Sequence, residues 1–463
     1  MSYAQFISKK LAHSPCVGIE SALTQMDRYA LFPHQLDLTR WALRRGRAAI
    51  FAGTGLGKTR MEVAFAAEVA RITGCRALIL APLAVAEQTV AEGAAMGVQV
   101  THVRDGSDPS GPVAITNYDR LHRFDPSQYG AIVLDESSVI KHHDTKTLAA
   151  LLAAFRDTPY RLAATATPAP NDWSELGTHA EFLGIRSRVE MLSEFFTHDG
   201  GDTQTWRLKG HARQEFWKWV ASWGALIRSP DDLGHDGSAY QLPPLRVHQH
   251  TVTSDTADNG DWLFPAEALT LSERRSARRD SVAARASACA RMVNGSEDTW
   301  VIWCELNAEA DALKSLIPGS VEIRGTDEEA SKERRLADFA AGKIRVLVTK
   351  PSIAGWGLNW QHCYRIGFVG VTDSFESYYQ AVRRCWRFGQ RHPVDVHLFA
   401  SEREGAVVTN LRRKEQDAEA LAMALSRETL AAVRESVLGS VKETNAYQPI
   451  HRMQLPSFIG ARA

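Results

Sequence analysis

"RAAIFAGTGLGKT", residues 47 to 59, decides the fold. A short apolar run ends in glycines at 53, 55 and 57, and Lys58 and Thr59 then open a stretch with helix-like character. A strand that turns through a glycine-rich loop into a helix aims backbone N–H groups at phosphate oxygens. Lys58 would reach the terminal phosphates and the Thr59 hydroxyl would complete a Mg²⁺ shell, so Gly53, Thr54, Gly55, Leu56, Gly57, Lys58 and Thr59 are candidate nucleotide contacts. The strict pattern places Gly where this chain has Ala52.

Runs of the same kind recur on either side. "CRALILAP" (75 to 82), "VAITN" (113 to 117), "AIVLDE" (131 to 136) and "RLAATATP" (161 to 168) alternate with helix-like segments. A second series comprises "WVIWCE" (300 to 305), "IRVLVT" (344 to 349), "YRIGFVG" (364 to 370) and "VDVHLFA" (394 to 400). Near-continuous apolar strands separated by helices are the sequence form of a parallel sheet covered on both faces. The expected fold class is therefore α/β, two tandem parallel-sheet domains with an inserted helical region.

The insert has a different texture. Phe216, Trp219, Val220 and Trp223 keep the i, i+3, i+4, i+7 rule and predict one apolar, core-facing helix stripe. "QLPPL" (241 to 245) reads as a linker, because Pro243 and Pro244 disfavour helix and ladder alike. From Leu269 to Met292, Arg274, Arg275, Arg278, Arg279, Arg285 and Arg291 stand against Glu273 and Asp280, which predicts a basic helix. Such a helix either tracks a phosphate backbone or forms a solvated surface. The chain from 401 on reads as charged helix that becomes irregular at "NAYQPI".

Composition narrows the classes. The 463 residues allow roughly three units or fewer. Lys and Arg number 54, as do Asp and Glu, so a polyanionic partner would be held by local patches rather than by the field of the whole molecule. The six cysteines form neither Cys-x-x-Cys pairs nor zinc spacing, which points to a reduced cytoplasmic setting. "KHHDTKT" (141 to 147) has adjacent histidines without a third ligand nearby and reads as solvated. An apolar run ending in small residues is missing at the start, and no stretch approaches the ~20 apolar residues of a membrane span, so a soluble protein without a signal peptide is expected.

"VLDESSVIK", residues 133 to 141, ends a strand in an acidic pair. In a parallel sheet Asp135 and Glu136 would stand beside the phosphate loop, Asp135 binding Mg²⁺ through water and Glu136 deprotonating the attacking water. An isolated pair of this kind would be an ordinary acidic helix start; with the loop present it completes a hydrolytic site.

"TGLGKT" (54 to 59), "LDESSVIK" (134 to 141), "RLAATATPAPND" (161 to 172) and "QAVRRCWRFGQ" (380 to 390), in this order, resemble motifs I, II, III and VI of superfamily 2 helicases and translocases, in particular the Swi/Snf-like branch with its small phage-encoded members. The resemblance runs from about residue 30 to 400. It implies two RecA-like domains with ATP and Mg²⁺ between them and DNA lying across both, double-stranded DNA above single-stranded. By this resemblance Gln35 in "FPHQ" reads adenine, Thr165 and Thr167 link hydrolysis to nucleic acid, and Gly357 in "GWGLNW" (355 to 360) belongs to motif V. Gln380, Arg384 and Arg387 belong to motif VI, with the two arginines reaching the γ-phosphate when the domains close. Ser138 takes the place of the box residue that bridges motifs III and VI, and its short hydroxyl offers a smaller hydrogen bond. Arg274 and Arg278 of the basic helix are candidate nucleic-acid contacts. Ala166 stands where the branch shows Gly between the threonines, and Trp386 where a polar residue is common.

The expected organisation is an N-terminal segment (1–29), RecA-like domain 1 with motifs Q, I, Ia, II and III (30–170), a helical extension and linker (171–245), a basic helical segment (246–296), RecA-like domain 2 with motifs IV, V and VI (297–400), and a C-terminal helical segment and tail (401–463). The expected function is an ATP-hydrolysing DNA translocase or helicase. An RNA helicase, and a nucleotide-regulated interaction protein that recruits replication or nuclease partners, are the alternatives. A built-in nuclease is not supported, because no separate cluster of carboxylates and histidines appears outside the motor motifs.

Overall fold

The computed structural model describes residues 18–19, 26–82, 85–107, 110–169, 172–199, 202–253, 276, 278–354, 359–370, 374–402, 409, 413, 423 and 429–438. Gly357, Arg274, Arg275 and the "NAYQPI" stretch lie outside these residues.

The first sheet is built from β1 (Arg47–Ala52), β2 (Arg76–Ala81), β3 (Val100–His102), β4 (Val113–Asn117), β5 (Tyr129–Leu134) and β6 (Tyr160–Ala164). After these come a two-stranded antiparallel ribbon, β7 (Phe196–Asp199) with β8 (Asp202–Leu208), and then β9 (Gly224–Ile227). The seven-stranded sheet has the order β3-β4-β2-β5-β6-β1-β9, every pair parallel. The second sheet comprises β10 (Leu245–Val252), β11 (Trp300–Trp303), β12 (Val321–Glu322), β13 (Val346–Thr349), β14 (Arg365–Phe368) and β15 (Val394–Ser401), in the parallel order β10-β15-β14-β11-β13-β12.

Alternation along the strands explains the two-sided burial. In β5, Val133 joins the core beneath helices Pro33–Arg45 and Lys58–Thr73, while Ile132 and Leu134 join the core on the opposite face. In β11, Val301 and Trp303 face one core and Trp300 and Ile302 the other. Parallel strands buried on both faces need apolar residues at every position, which is why these runs are legible in the sequence.

Three expectations change. The stretch 171–245 is not only helical: it contributes the β7–β8 ribbon, and its "GALI" becomes β9, an edge strand beside β1. The segment 246–296 does not begin in helix, because β10 pairs with β15 along its whole length. Its alternating pattern "LRVHQHTV" is that of a half-exposed edge strand, obscured by the two prolines that precede it. The basic helix, Val282–Asn294 where it is regular, is not a solvated cationic face either. Arg285 is fully buried and pairs with the equally buried Glu309 at 2.8 Å, and Arg278 is also buried.

The aromatic stripe packs as expected: in helix Arg213–Ala221 and the turn after it, Phe216, Val220 and Trp223 are buried and Trp219 is partly so. The helical stretch 429–438 packs on the first domain, where Val433 and Val437 enter the core and Trp41 Nε1 donates to Ser436 Oγ at 2.9 Å. No helix among the described residues is long and apolar enough to cross a membrane. Arg365 holds Asp298 at 3.1 Å and Asp395 at 2.9 Å.

Candidate nucleotide site

The carboxyl ends of β1 and β5 in the first sheet, and the segments that lead into β14 and β15 of the second, line one inter-domain cleft of about 210 Å³. Gln35, Thr54, Gly55, Gly57, Lys58 and Thr59 line it from the first domain, with Asp135 and Glu136 beneath them, and Arg384 and Arg387 face them from the second domain.

Positive φ shapes the loop. Gly55 lies at +91° and Gly57 at +78°, conformations that a side chain disfavours. Crowding reinforces this: a Cβ at Gly57 would sit 2.2 Å from Gln35 Nε2, and one at Gly55 2.9 Å from the backbone nitrogen of Phe388. The second domain thus closes directly onto the loop. Two ion pairs span the domains as well, Arg104 with Glu333 and Arg120 with Glu329, each at 2.8 Å.

Gln35 is committed to the loop. Its Oε1 accepts from the Phe32 backbone N–H at 3.1 Å and its Nε2 donates to Leu56 O at 3.0 Å. It braces the phosphate loop against the residues before helix Pro33–Arg45 and retains one amide hydrogen for a base. Lys58 Nζ donates to Ala52 O at 3.1 Å, across the mouth of the loop.

The acidic pair is strained and crowded. Glu136 has φ +49°, a left-handed conformation that costs a non-glycine residue about 1–3 kcal/mol and is typical of functional positions. Burial raises Asp135 to about 7, the neighbouring Glu136 adds to the rise, and Lys58 opposes it. Tyr118 Oη donates to the Asp135 carbonyl at 2.6 Å and fixes the turn. A third carboxylate, Glu62, lies one helical turn beyond Lys58. It is buried, and burial followed by the proximity of Asp135 holds its pKa well above the usual range.

This concentration of buried carboxyl groups fits a divalent cation, which Thr59 and Asp135 could hold. No cluster of three or more His, Cys, Asp or Glu among the described residues could hold a metal alone.

Motif III touches the site directly. Thr165 Oγ1 donates to Glu136 Oε2 at 3.4 Å and accepts from the Thr167 backbone N–H at 3.1 Å. The bridge expected from Ser138 is not present. Ser138 Oγ is buried without a partner, whereas Ser137 Oγ and His179 Nε2 are 3.1 Å apart. In motif VI, Gln380 anchors Arg384 through its backbone oxygen (2.9 Å from Nε) and its Oε1 (3.0 Å from Nη2). Burial lowers both arginines, yet guanidinium groups stay protonated, so two desolvated positive charges face the carboxyl pair.

Aromatic rings close the outer end. Tyr240 stacks on Phe388 with centroids 4.5 Å apart and meets His34 edge-on at 5.2 Å, and Phe32 lies 6.3 Å from it. Trp386 donates to Pro243 O at 2.7 Å and carries the Arg383 guanidinium 4.2 Å over its ring, so it joins the linker to motif VI. Ser137, Glu62, His179, Tyr240 and Phe388 were not singled out in the sequence. Only Glu62 left a signal there, as an acid within the apolar run "MEVAFAAEVA".

This geometry agrees with likeness to known proteins. Residues 285–389 match the helicase conserved C-terminal domain. Over 134 residues the chain is 32% identical to human ATP-dependent DNA helicase Q4, a match spanning 25% of this chain and 11% of that relative. The structure of S. cerevisiae Dbp5 bound to RNA and ADP BeF3 superposes with a TM-score of 0.52 at 13% identity, covering 87% of this chain and 99% of that one. The superposition shows the shared fold of two parallel-sheet domains, and the matched residues 285–389 span β11 to β14 of the second sheet.

Proposed function

We propose that the chain is a nucleic-acid-stimulated ATPase of superfamily 2, a Swi/Snf-like DNA translocase that couples Mg-ATP hydrolysis in the inter-domain cleft to movement on DNA. The observation that carries this reading is the meeting in one cleft of Lys58, Thr59, Asp135 and Glu136 from one domain with Arg384 and Arg387 from the other. The run "TPAPNDWSEL" (167 to 176) supports the branch.

In this mechanism the loop N–H groups and Lys58 hold the β- and γ-phosphates in line with an incoming water. Thr59 and Asp135 would hold Mg²⁺, which when bound would supply neutralisation of phosphate charge. Glu136, oriented by Thr165, accepts the proton of the water as its oxygen bonds to the γ-phosphorus and ADP leaves. Arg384 and Arg387 stabilise the charge spread over the transferred group, and they reach it only when the domains are together. Hydrolysis is thereby tied to domain closure, and nucleic acid that favours closure accelerates it.

Steady-state ATPase measurements with duplex DNA, single-stranded DNA and RNA test this. DNA is expected to give the largest stimulation, and Lys58→Ala to abolish it. Equal rates with and without every nucleic acid would overturn the motor reading, and stimulation by RNA alone would overturn the DNA reading.

A further inference from the structure

A second cleft of about 250 Å³ lies at the carboxyl ends of β5 and β6, beyond the catalytic pair and away from the phosphate loop. The "KHHDTKT" loop supplies Lys141, His142 and His143, helix Arg188–Phe195 supplies Arg188, and the β7–β8 ribbon supplies Trp206. Carboxyl ends of parallel strands are where open α/β sheets bind ligands.

The ribbon stands apart from both parallel sheets. Across it, His198 pairs with Trp206 in register, and the two rings approach to 3.8 Å between centroids, His198 being exposed. The end of β8 and the chain after it, "WRLKGHAR" (206 to 213), carry Arg207, Lys209 and Arg213 and no acid; these three lie outside the cleft lining, Lys209 Nζ donates to Ser193 O and Glu194 O, and Arg207 and Arg213 are exposed. Of the two acids in the cleft, Asp172 is engaged as a cap, accepting from the Ser174 backbone N–H at 2.6 Å. An indole beside histidines and basic side chains matches what single-stranded nucleic acid requires, a π-face for bases and positive charge for the backbone.

The cleft is joined to the ATP site by short buried links. Ser174 and Glu175 in its wall lead straight into helix Leu176–Phe182, and His179 on that helix holds Ser137, the neighbour of Glu136. A continuous run of contacts thus leads from the cleft wall to the residue next to Glu136.

We propose that this cleft binds a single strand of nucleic acid, a base stacking against Trp206 and the phosphates meeting Lys141 and Arg188, so that the β7–β8 ribbon acts as the element that engages a separated strand. This rests on the nucleic-acid reading above and extends it from translocation to strand capture.

The test uses the full chain and oligonucleotides carrying 2-aminopurine, in single-stranded and blunt duplex form, with wild type, Trp206→Ala, Trp206→Phe and Lys58→Ala. Stacking on Trp206 predicts quenching of 2-aminopurine in the single strand. Trp206→Ala should weaken single-strand binding roughly five- to a hundredfold, the span of one base–aromatic stack, with Trp206→Phe restoring most of it and duplex affinity little changed. Lys58→Ala should bind the single strand as wild type does, which separates this site from hydrolysis. Equal single-strand affinity in wild type and Trp206→Ala, or equal loss for duplex and single strand, would overturn the proposal. If no nucleic acid binds any variant while ATP is still hydrolysed, the nucleic-acid reading itself fails.

Discussion

The two adjacent serines of the acidic box offer a sharp prediction. Ser137 Oγ and His179 Nε2 form a buried hydrogen bond at 3.1 Å, while Ser138 Oγ is buried with no partner. Burial pushes His179 down to about 4, so at pH 7 this is a neutral bond. Ser137→Ala strands a buried imidazole nitrogen, at a cost of about 1–3 kcal/mol. For a domain of this size about 1 kcal/mol corresponds to roughly 2–4 °C, so the transition of the first domain should fall by about 2–12 °C. Ser138→Ala removes a hydroxyl that already lacks a partner and should leave that transition unchanged or raise it slightly. Scanning calorimetry of the two variants checks the stability, and the ratio of DNA-stimulated to basal ATPase rate checks the coupling, which should drop in Ser137→Ala and hold in Ser138→Ala. Pairing Ser137→Ala with His179→Phe replaces both polar partners and should recover most of the lost stability, since the new ring keeps the edge-on contact to Phe51 at 5.4 Å. Identical behaviour of the two serine variants, or additive losses in the double variant, would refute the reasoning.

Arg285→Met leaves Glu309 charged and buried, and should cost about 3–5 kcal/mol of second-domain stability in denaturant melts, whereas Arg285→Met with Glu309→Leu should recover most of it. Because Asp135 is raised to about 7, the folded chain binds more protons than the unfolded chain between about pH 4 and 7; this group's contribution to stability therefore declines as pH rises through that window. A cation and nucleotide that favour the carboxylate should release protons, so calorimetric binding of Mg-ADP at pH 6.5 should depend on the ionisation enthalpy of the buffer, and Asp135→Asn should remove that dependence. Tyr240→Ala takes away one ring of the Tyr240–Phe388 stack and should raise KM for ATP by about five- to tenfold with a smaller change in kcat; an unchanged KM would show that the ring does not contact the base.

What the sequence made legible follows from chemistry that is contiguous along the chain. The phosphate loop needs Gly55, Gly57, Lys58 and Thr59 within one turn, and a doubly covered parallel strand must be apolar throughout, so both sheets could be read from runs such as "AIVLDE". Edge strands escape that rule. β10 alternates because only part of it is covered, and β9 has four residues. Arg285 misled for a related reason: helical spacing groups the arginines on a face, but which face turns inward depends on Glu309, an acid on another helix.

The serines show where the limit lies. In the tight turn Ser137–Ile140 consecutive side chains point about 120° apart, so of two identical neighbours only one can face helix Leu176–Phe182. The choice is made by the left-handed backbone of Glu136, which sets the direction in which the turn begins. The left-handed backbone at Glu136 thus goes with two contacts at once: Glu136 meets Thr165, and Ser137 rather than Ser138 meets His179. A variant that relaxes the φ of Glu136 should therefore disturb hydrolysis and coupling together, even though Ser137, His179 and Thr165 are all intact.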